Sequence, residues 1–260
     1  MHSFVNLTPA AAYLRCKETW PYPQPEAFAV LVCSAQHAFY FARYIVKGPL
    51  LEGESAIATE GEYALQYARD ILRAPFLLGE QAIARNAAYA LAYAETVLNG
   101  PFPSAEPIIS QHPQLSLRYA SKVLGRRFPL GELSVATHSE SSYYYARHVM
   151  EGQFSLGEPT IYQDPQFCTP YLQWLDTLET VDPFVHLAFY IRATSEEDWS
   201  DERAHLHATR TGLSMDQIRL SRLFHHPEGT LQETVSSLRG ATIALDQSMD
   251  TPDFGDVGSP

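Results

Sequence analysis

Five glutamates recur along the chain at a fixed interval of 26 residues: Glu54, Glu80, Glu106, Glu132 and Glu158. Carboxylates serve as general acids and bases and bind hard metal ions, so a regular row of them is one way to build a ladder of metal sites. Each glutamate also stands at the start of a predicted short helix, where a carboxylate accepts free backbone N–H groups and suits the positive end of the helix dipole. Catalysis needs a site once, whereas packing needs a contact in every repeat. We therefore interpret these glutamates as structural repeat residues.

Tyrosines follow the same register, and their rings are of a kind that can stack nucleic-acid bases. Their positions fall on the side of the helix that the apolar pattern predicts to be buried. This placement favours core packing, with the hydroxyls hydrogen-bonded between repeats. The tyrosines concerned are Tyr63, Tyr67, Tyr89, Tyr93, Tyr119, Tyr143, Tyr144 and Tyr145.

Histidines and cysteines do not combine into a metal site. His205 and His207 form an HxH pair, but no acid or cysteine at ligand spacing completes a zinc site with them or with the His225-His226 pair. The three cysteines are odd in number and far apart, which predicts reduced, half-buried residues rather than disulfides: Cys16, Cys33 and Cys168. The sequence predicts no metal and no cofactor.

No arrangement of Ser, His and Asp or of Cys and His has a recognisable local context, and no glycine-rich phosphate loop occurs. We therefore predict that the protein has no catalytic residues and is not an enzyme.

The net charge of -12 argues against general nucleic-acid binding, because phosphate neutralisation needs an excess of Lys and Arg. Most of the acidity lies in the C-terminal part, since residues 33–162 hold 12 acids and 10 bases whereas residues 163–260 hold 16 acids and 6 bases. No apolar run is long enough for a membrane span, and the first residues do not resemble a signal peptide. We expect an acidic, cytoplasmic protein without a membrane partner.

The glutamates belong to a 26-residue sequence repeat that occurs five times between residues 33 and 162. Its most regular feature is an aromatic-alanine pair: Phe41-Ala42, Tyr67-Ala68, Tyr93-Ala94, Tyr119-Ala120 and Tyr145-Ala146. A period of this length is typical of stacked helical repeats, in which neighbours complete each other's core. The sequence therefore predicts an all-α fold, a right-handed α-solenoid or superhelix of five to six helix-turn-short-helix repeats.

Each repeat is predicted to contain a long helix, a break and a shorter helix. The long helix begins at a capping residue or a proline in several copies: Ser34, Asn86, Pro113, Asp164 and Pro165. Gly48-Pro49 and Gly100-Pro101 predict its end, with a left-handed cap at the glycine. The short helix, such as the one from Glu106 to Ser110, is anchored by a loop phenylalanine: Phe76, Phe102, Phe128 or Phe154.

Composition divides the chain into four parts. Residues 1–32 read as a degenerate N-terminal capping repeat and residues 33–175 as the helical repeats. Residues 176–245 read as a helical C-terminal module with helices at 183–193, 201–209, 214–224 and 231–245. Residues 246–260 form an acidic tail, for which we expect docking on a basic surface of the repeats or of a partner.

The outward face comprises the positions just before and two, three and six residues after each aromatic of the pair. Unlike the predicted core positions, these positions change from copy to copy and are locally basic. Such variation is expected of a surface that binds a specific protein. The alternative is an ordinary solvated face. We predict the partner-binding residues Tyr40, Arg43, Tyr44, Arg69, Arg73, Arg118, Lys122, Tyr144, Arg147 and His148.

Residues 204–224 match a helix-turn-helix template loosely, through Ala208, Gly212 and Ile218, with Arg219 and Arg222 on the recognition helix. The surrounding acidity weighs against DNA binding. A nucleic-acid-associated regulator that uses this segment is therefore the alternative to a protein-binding scaffold, and a virion structural component is the third hypothesis.

The repeat motif YA..VL.G.FP.GE..I resembles short tandem α-helical repeats in proteins of tailed bacteriophages and, more distantly, Sel1-like repeats. The resemblance covers residues 33–162 and specifies the repeat, not an activity. The Sel1-like signature differs in length and glycine placement, so its biology is not carried over. The phage resemblance implies a protein made in an infected bacterial cytoplasm that binds and inhibits a host factor.

Overall fold

The computed structural model describes residues 7–194, 200–223 and 229–249. Across these ranges the regular structure is helical, and no β-strand occurs. The chain forms two compact units, Met1–Ser134 and Val135–Pro260. The predicted all-α class is therefore confirmed, whereas the predicted part boundaries at residues 32, 175 and 245 stay predictions.

The first unit alternates longer helices with short ones. Its helices are α1 (Pro9–Thr19), α2 (Pro25–Val32), α3 (Ala35–Phe41), α4 (Glu54–Ile57), α5 (Gly61–Gln66), α6 (Glu80–Ile83), α7 (Ala87–Tyr93), α8 (Glu106–Ile109), α9 (Pro113–Arg118) and α10 (Pro129–Val135), whose last residue opens the second unit. A 3-10 turn precedes three of the short helices, at Leu51–Gly53, Leu77–Gly79 and Pro103–Ala105.

The second unit begins in the same way and then changes to longer helices. They are α11 (Ser139–Tyr145), α12 (Glu158–Gln163), α13 (Pro165–Leu175), α14 (Pro183–Ala193), α15 (Asp201–Thr211), α16 (Met215–Leu223) and α17 (Leu231–Met249). The last four confirm the helices predicted for the C-terminal module. Because α17 runs to Met249, the start of the predicted tail is helical, and residues 250–260 lie outside the described ranges.

Helix starts follow the capping residues in most of the predicted places. The Asn86 side chain accepts from the backbone N–H groups of Ala88 and Tyr89 at 3.0 and 3.1 Å, which satisfies donors that the first turn leaves free. The Asp164 carboxylate caps α13 through Gln166 N–H at 2.9 Å. Ser34 occupies the cap position of α3 but its hydroxyl pairs with His37 Nδ1 at 2.9 Å instead.

The long helices do not end as the Gly-Pro pairs predicted. Each passes into a π-helical turn, at Ala42–Val46, Tyr67–Leu72, Ala94–Leu98, Tyr119–Leu124 and Ala146–Met150. At Lys47 and Asn99 the left-handed residue is one position before the predicted glycine, with φ of 56° and 49°. Arg73, Gly125 and Glu151 take the same conformation at the matching position of their repeats, with φ of 52°, 60° and 51°. The extra residue of the π turn shifts the cap, since the carbonyl of Ala42 accepts from the N–H groups of both Lys47 and Gly48.

Small and aromatic side chains alternate in the core. The alanines of the repeated pair are fully buried: Ala42, Ala68, Ala94, Ala120 and Ala146. The loop phenylalanines are buried as predicted, and the rings of Tyr93 and Phe102 lie 5.2 Å apart between their centroids. Alanine lets helices approach closely while each ring fills the space beside it, so the core depends on both types.

Within the ranges described, no single helix is long and apolar enough to cross a membrane. The pair Pro25–Val32 and Ala35–Val46 reaches that length and composition only when taken together, and it is bent by 113°.

Gly125 has the left-handed conformation of a helix cap, whereas Gly48 does not. We expect Gly125→Ala to lower the free energy of unfolding by about 1 kcal/mol, because alanine disfavours a positive φ. Gly48→Ala is the matched control, since a Cβ at either glycine meets nothing within 4 Å and Gly48 does not have a positive φ. Urea unfolding measures the free energy of unfolding of both variants. An equal loss of stability at positions 48 and 125 would show that a side chain at position 125 does not strain the backbone.

Candidate protein-binding face

Buried tyrosine hydroxyls join several of the long helices to the segment before them. Tyr93 donates to Glu80 Oε1 at 3.0 Å and accepts from the Phe76 N–H at 2.8 Å. The same pair of bonds, to a glutamate 13 residues earlier and an N–H 17 residues earlier, recurs at Tyr67 with Glu54 and Leu50, at Tyr119 with Glu106 and Phe102, and at Tyr171 with Glu158 and Phe154. We call this arrangement the tyrosine clasp.

The tyrosine clasp corrects the predicted role of the glutamates in one respect. Glu54, Glu80, Glu106 and Glu158 do stand at the first position of short helices, but their side chains accept from tyrosine hydroxyls rather than serving as the predicted backbone caps. Glu132 lies inside α10, where Arg127 pairs with both of its carboxylate oxygens at 2.8 and 2.9 Å. These contacts support the structural interpretation of the glutamates.

Burial keeps the clasp hydroxyls protonated. It raises the pKa of Tyr93 and of Tyr119 to about 12, and it raises the pKa of Tyr67 and Tyr171 as well. Burial also raises the pKa of the Glu158 carboxyl, although hydrogen bonds from Gln153 and Tyr171 partly offset it. At neutral pH each of these tyrosines is therefore a hydrogen-bond donor to its glutamate.

The outward face of the first unit lies mostly in solvent. Of its predicted residues, Arg43, Tyr44, Arg69, Arg73, Arg118 and Lys122 are exposed, and Tyr40 is half-buried. Tyr44 keeps 56% of its surface accessible, although its ring stacks on that of Tyr40. The tyrosine clasp and the buried alanines hold the helices beneath these side chains, so the outward residues are presented on a packed frame.

Some of the positive charges on this face are already paired. Asp70 accepts from Arg43 Nη1 and from Arg69 Nε, each at 2.7 Å, and these arginines hold the pKa of Asp70 below its usual range. Glu95 accepts both Nε and Nη2 of Arg118 at 2.6 and 2.7 Å. Among the described residues, Lys47, Arg73 and Lys122 have no carboxylate within 4.0 Å. These three bases remain available to an acidic partner.

Shallow cavities lie between the ends of successive long helices in this unit. One of about 410 Å³ is lined by Arg43, Lys47, Gly48, Asp70, Ile71 and Arg73. An equivalent one of about 600 Å³, two repeats later, is lined by residues that include Glu95, Asn99, Arg118 and Lys122. Lys47 occupies one of the predicted outward positions, six residues after Phe41, but it was not among the named partner-binding residues.

The second unit presents the remaining predicted residues separately. Tyr144 stacks on His148 with ring centroids 5.8 Å apart and planes 9° apart, and both side chains are exposed. Arg147 donates to the Tyr143 hydroxyl at 2.9 Å, and its guanidinium lies 5.9 Å from the Trp174 ring centroid. Tyr144 is thus on the surface, whereas its neighbours Tyr143 and Tyr145 are buried.

The histidines of the HxH pair point to opposite sides of α15. His205 is exposed, whereas His207 is buried and stacks on Tyr190 at 4.7 Å, with His186 on its other side at 4.8 Å. His225 and His226 lie outside the described residues. In the part of the chain that the structure covers, no three His, Cys, Asp or Glu side chains are grouped to hold a metal ion.

The helix-turn-helix template corresponds to a real pair of packed helices. Gly212 ends α15 in the left-handed conformation, with φ of 73°, and Ile218 of α16 is fully buried. Arg219 is exposed but pairs with Asp201 at 3.0 Å, and the side chain of Arg222 is outside the described set. Two packed helices joined at a left-handed glycine are therefore present, while the one described recognition arginine is held by an acid.

Comparison with protein-family models, with curated proteins and with solved structures finds no significant match to this chain.

The buried histidines predict an acid-sensitive second unit. Burial lowers the pKa of His186 and lowers the pKa of His207 to about 3, so the fold favours the neutral rings. Asp176, which accepts from His186 at 2.9 Å, opposes this shift, whereas Arg203 and Arg210 add to it. The stability contributed by the neutral His207 ring should be complete above the unfolded-state pKa of about 6.5 and be lost as pH falls toward 3, by at most about 1.4 kcal/mol per pH unit. The lowered pKa of His186 adds a loss of the same sign.

Urea unfolding at a series of pH values measures this loss. We expect His207→Gln to remove part of the pH dependence below about pH 6.5, because its ring no longer titrates. His205→Gln, on the exposed side of the same helix, should keep the wild-type slope. The same slope in the wild type and in His207→Gln would contradict the role given to the buried ring.

Proposed function

We propose that this chain is a non-enzymatic scaffold that binds a protein partner through the outward face of its repeated helices. In this proposal the 26-residue repeats stack as a right-handed α-solenoid, each completing the core of the next. One contrast in the first unit carries the proposal: the buried positions keep the same chemistry from copy to copy, whereas the outward positions are exposed and change. Packing explains the first set, and recognition of a particular partner explains the second.

The chemistry of the outward face supports a protein rather than a small substrate. Exposed tyrosines and arginines are the residues that contribute most at protein interfaces, and Tyr44, Arg73 and Arg118 belong to these types. Lys47, Arg73 and Lys122 lack a carboxylate partner among the described residues, so an acidic partner would gain ion pairs without breaking existing ones.

The resemblance to repeats in tailed-phage proteins supports a narrower form of the proposal. In that form the protein is phage-encoded, is made in the cytoplasm of an infected bacterium, and binds a host or viral protein there. Occupation of the outward face would then inhibit or redirect the host factor.

Site-specific photo-crosslinking tests the proposal. A crosslinking amino acid placed at exposed position 44, 73 or 122 should attach the same protein from a bacterial lysate, and the purified partner should reproduce the adduct. Position 85 is the control, since Arg85 is exposed but precedes Asn86, the N-cap of α7, whereas positions 44, 73 and 122 lie in or just after the π turns that follow the long helices. Adducts formed equally at position 85, or none at the three outward positions, would refute the outward face as the binding surface.

A second candidate, a nucleic-acid-associated regulator, is favoured by the left-handed Gly212 between α15 and α16. If it is correct, the protein should bind duplex DNA with an affinity that falls steeply with salt, and Arg219→Gln should weaken binding. Fluorescence anisotropy with labelled duplex measures both effects. Binding that is weak and insensitive to Arg219→Gln would leave the protein-binding scaffold as the better account.

A further inference from the structure

The end of α3 and the π turn after it carry two kinds of side chain. Tyr40 stacks on Tyr44 four residues later, whereas Arg43 and Lys47, also four residues apart, line a different cavity. Two cavities therefore open beside this segment. They differ in chemistry, and together they define what a ligand must carry.

The first cavity is aromatic. It measures about 440 Å³ and is lined by Tyr13, His37, Tyr40 and Tyr44. Tyr40 and Tyr44 are stacked with centroids 6.0 Å apart, and Tyr13 meets His37 edge-on at 6.4 Å. A wall made of ring faces and edges suits one further aromatic side chain, because offset and edge-to-face ring pairs are favourable.

The second cavity is basic. Arg43, Lys47 and Arg73 contribute three positive charges to it against the single carboxylate of Asp70. Asp70 is already bonded to Arg43 and Arg69, whereas Lys47 and Arg73 have no carboxylate within 4.0 Å among the described residues. The cavity therefore has room and charge for one or two additional carboxylates.

Arg43 joins the two cavities. Its guanidinium carbon lies 5.7 Å from the ring centroid of Tyr44 and 5.8 Å from that of Phe39. The aromatic wall and the basic wall consequently meet at adjacent residues, and one short ligand segment can contact both.

We propose that these adjoining cavities form one binding site for an acidic peptide segment that carries an aromatic side chain. The aromatic side chain enters beside Tyr40 and Tyr44, and neighbouring carboxylates pair with Lys47 and Arg73. This inference rests on the proposed scaffold function and specifies the chemistry of its partner.

The charges along the unit favour a peptide over a nucleic acid, although both combine rings with anions. At the equivalent cavity two repeats later, Asn99 stands in the place of Lys47, Glu95 in the place of Arg43 and Lys122 in the place of Asp70. Glu95 holds Arg118 there, so Lys122 is the base of that cavity without a carboxylate partner among the described residues. Continuous phosphate binding needs a longer run of unpaired bases, whereas a short acidic segment needs only Lys47 and Arg73.

Fluorescence anisotropy with the full chain tests the site. The probe is a labelled synthetic peptide with alternating aspartates and one central phenylalanine. Replacing that phenylalanine by alanine should weaken binding by about tenfold, the effect of burying one large ring. Replacing the aspartates by asparagines should abolish measurable binding.

Variants of the protein locate the contact. Lys47→Asn and Arg73→Asn should each weaken binding by about two- to fivefold, as expected for an exposed ion pair. Asparagine is the matched choice because the chain itself uses Asn99 at the same left-handed position. Arg85→Gln removes one positive charge elsewhere on the unit and should leave the affinity unchanged.

Two results would overturn the inference. The first is unchanged affinity in both asparagine variants. The second is equal or tighter binding of a single-stranded oligonucleotide of the same charge, which would assign the site to nucleic acid. If the peptide does not bind while crosslinking still captures a partner at position 73, the peptide site is wrong and the scaffold proposal stands.

Discussion

The buried tyrosine hydroxyl is the interaction on which the rest of the structure depends. Each clasp hydroxyl uses both its donor and its acceptor, one toward a glutamate and one toward a backbone N–H, so a polar atom inside the core is satisfied. Without the glutamate, the hydroxyl of Tyr93 would be a buried donor with no partner, which costs about 1 to 3 kcal/mol. The short helices need this connection, because four residues such as Glu80–Ile83 are too few to form a stable helix alone.

The clasp also determines which side chains are left for function. It occupies the inner side of each long helix together with the alanine and the loop phenylalanine. The π turn then carries the chain outward to a left-handed residue, and this places Lys47 and Arg73 at the rim of a cavity. The structural and the candidate binding residues thus come from the same helices but from different sides of them.

Much of this division was predictable from the repeat. A fixed 26-residue period predicted buried alanines and anchoring phenylalanines, and the computed structure places Ala94 and Phe102 in the core. The partner of each glutamate was not predictable, because hydrogen bonds over 13 residues depend on how the segments pack and not on local spacing. The left-handed residue was misplaced by one position for a related reason: a π turn has no distinct sequence signature, so Gly48 was the natural choice for the cap.

Only some features of the candidate binding site were predictable from the sequence. The exposure of Arg73 follows from helical periodicity, whereas Tyr144 was counted among both the core tyrosines and the outward residues, and the structure corrects the first assignment because Tyr144 is exposed. The pairing of Arg118 with Glu95 joins two helices and also needed the structure. Tyr44 was among the predicted binding residues and Lys47 stands at one of the predicted outward positions, but the cavities beside them were seen only in the structure.

A double-mutant cycle on Tyr93→Phe and Glu80→Ala tests the clasp most directly. Urea unfolding gives the four free energies, and the coupling between the two substitutions isolates their interaction. The account predicts a coupling of about 1 to 3 kcal/mol, since each residue is the other's buried partner. Additive effects, within about 0.5 kcal/mol, would show that the hydroxyl and the carboxylate do not hold the segments together.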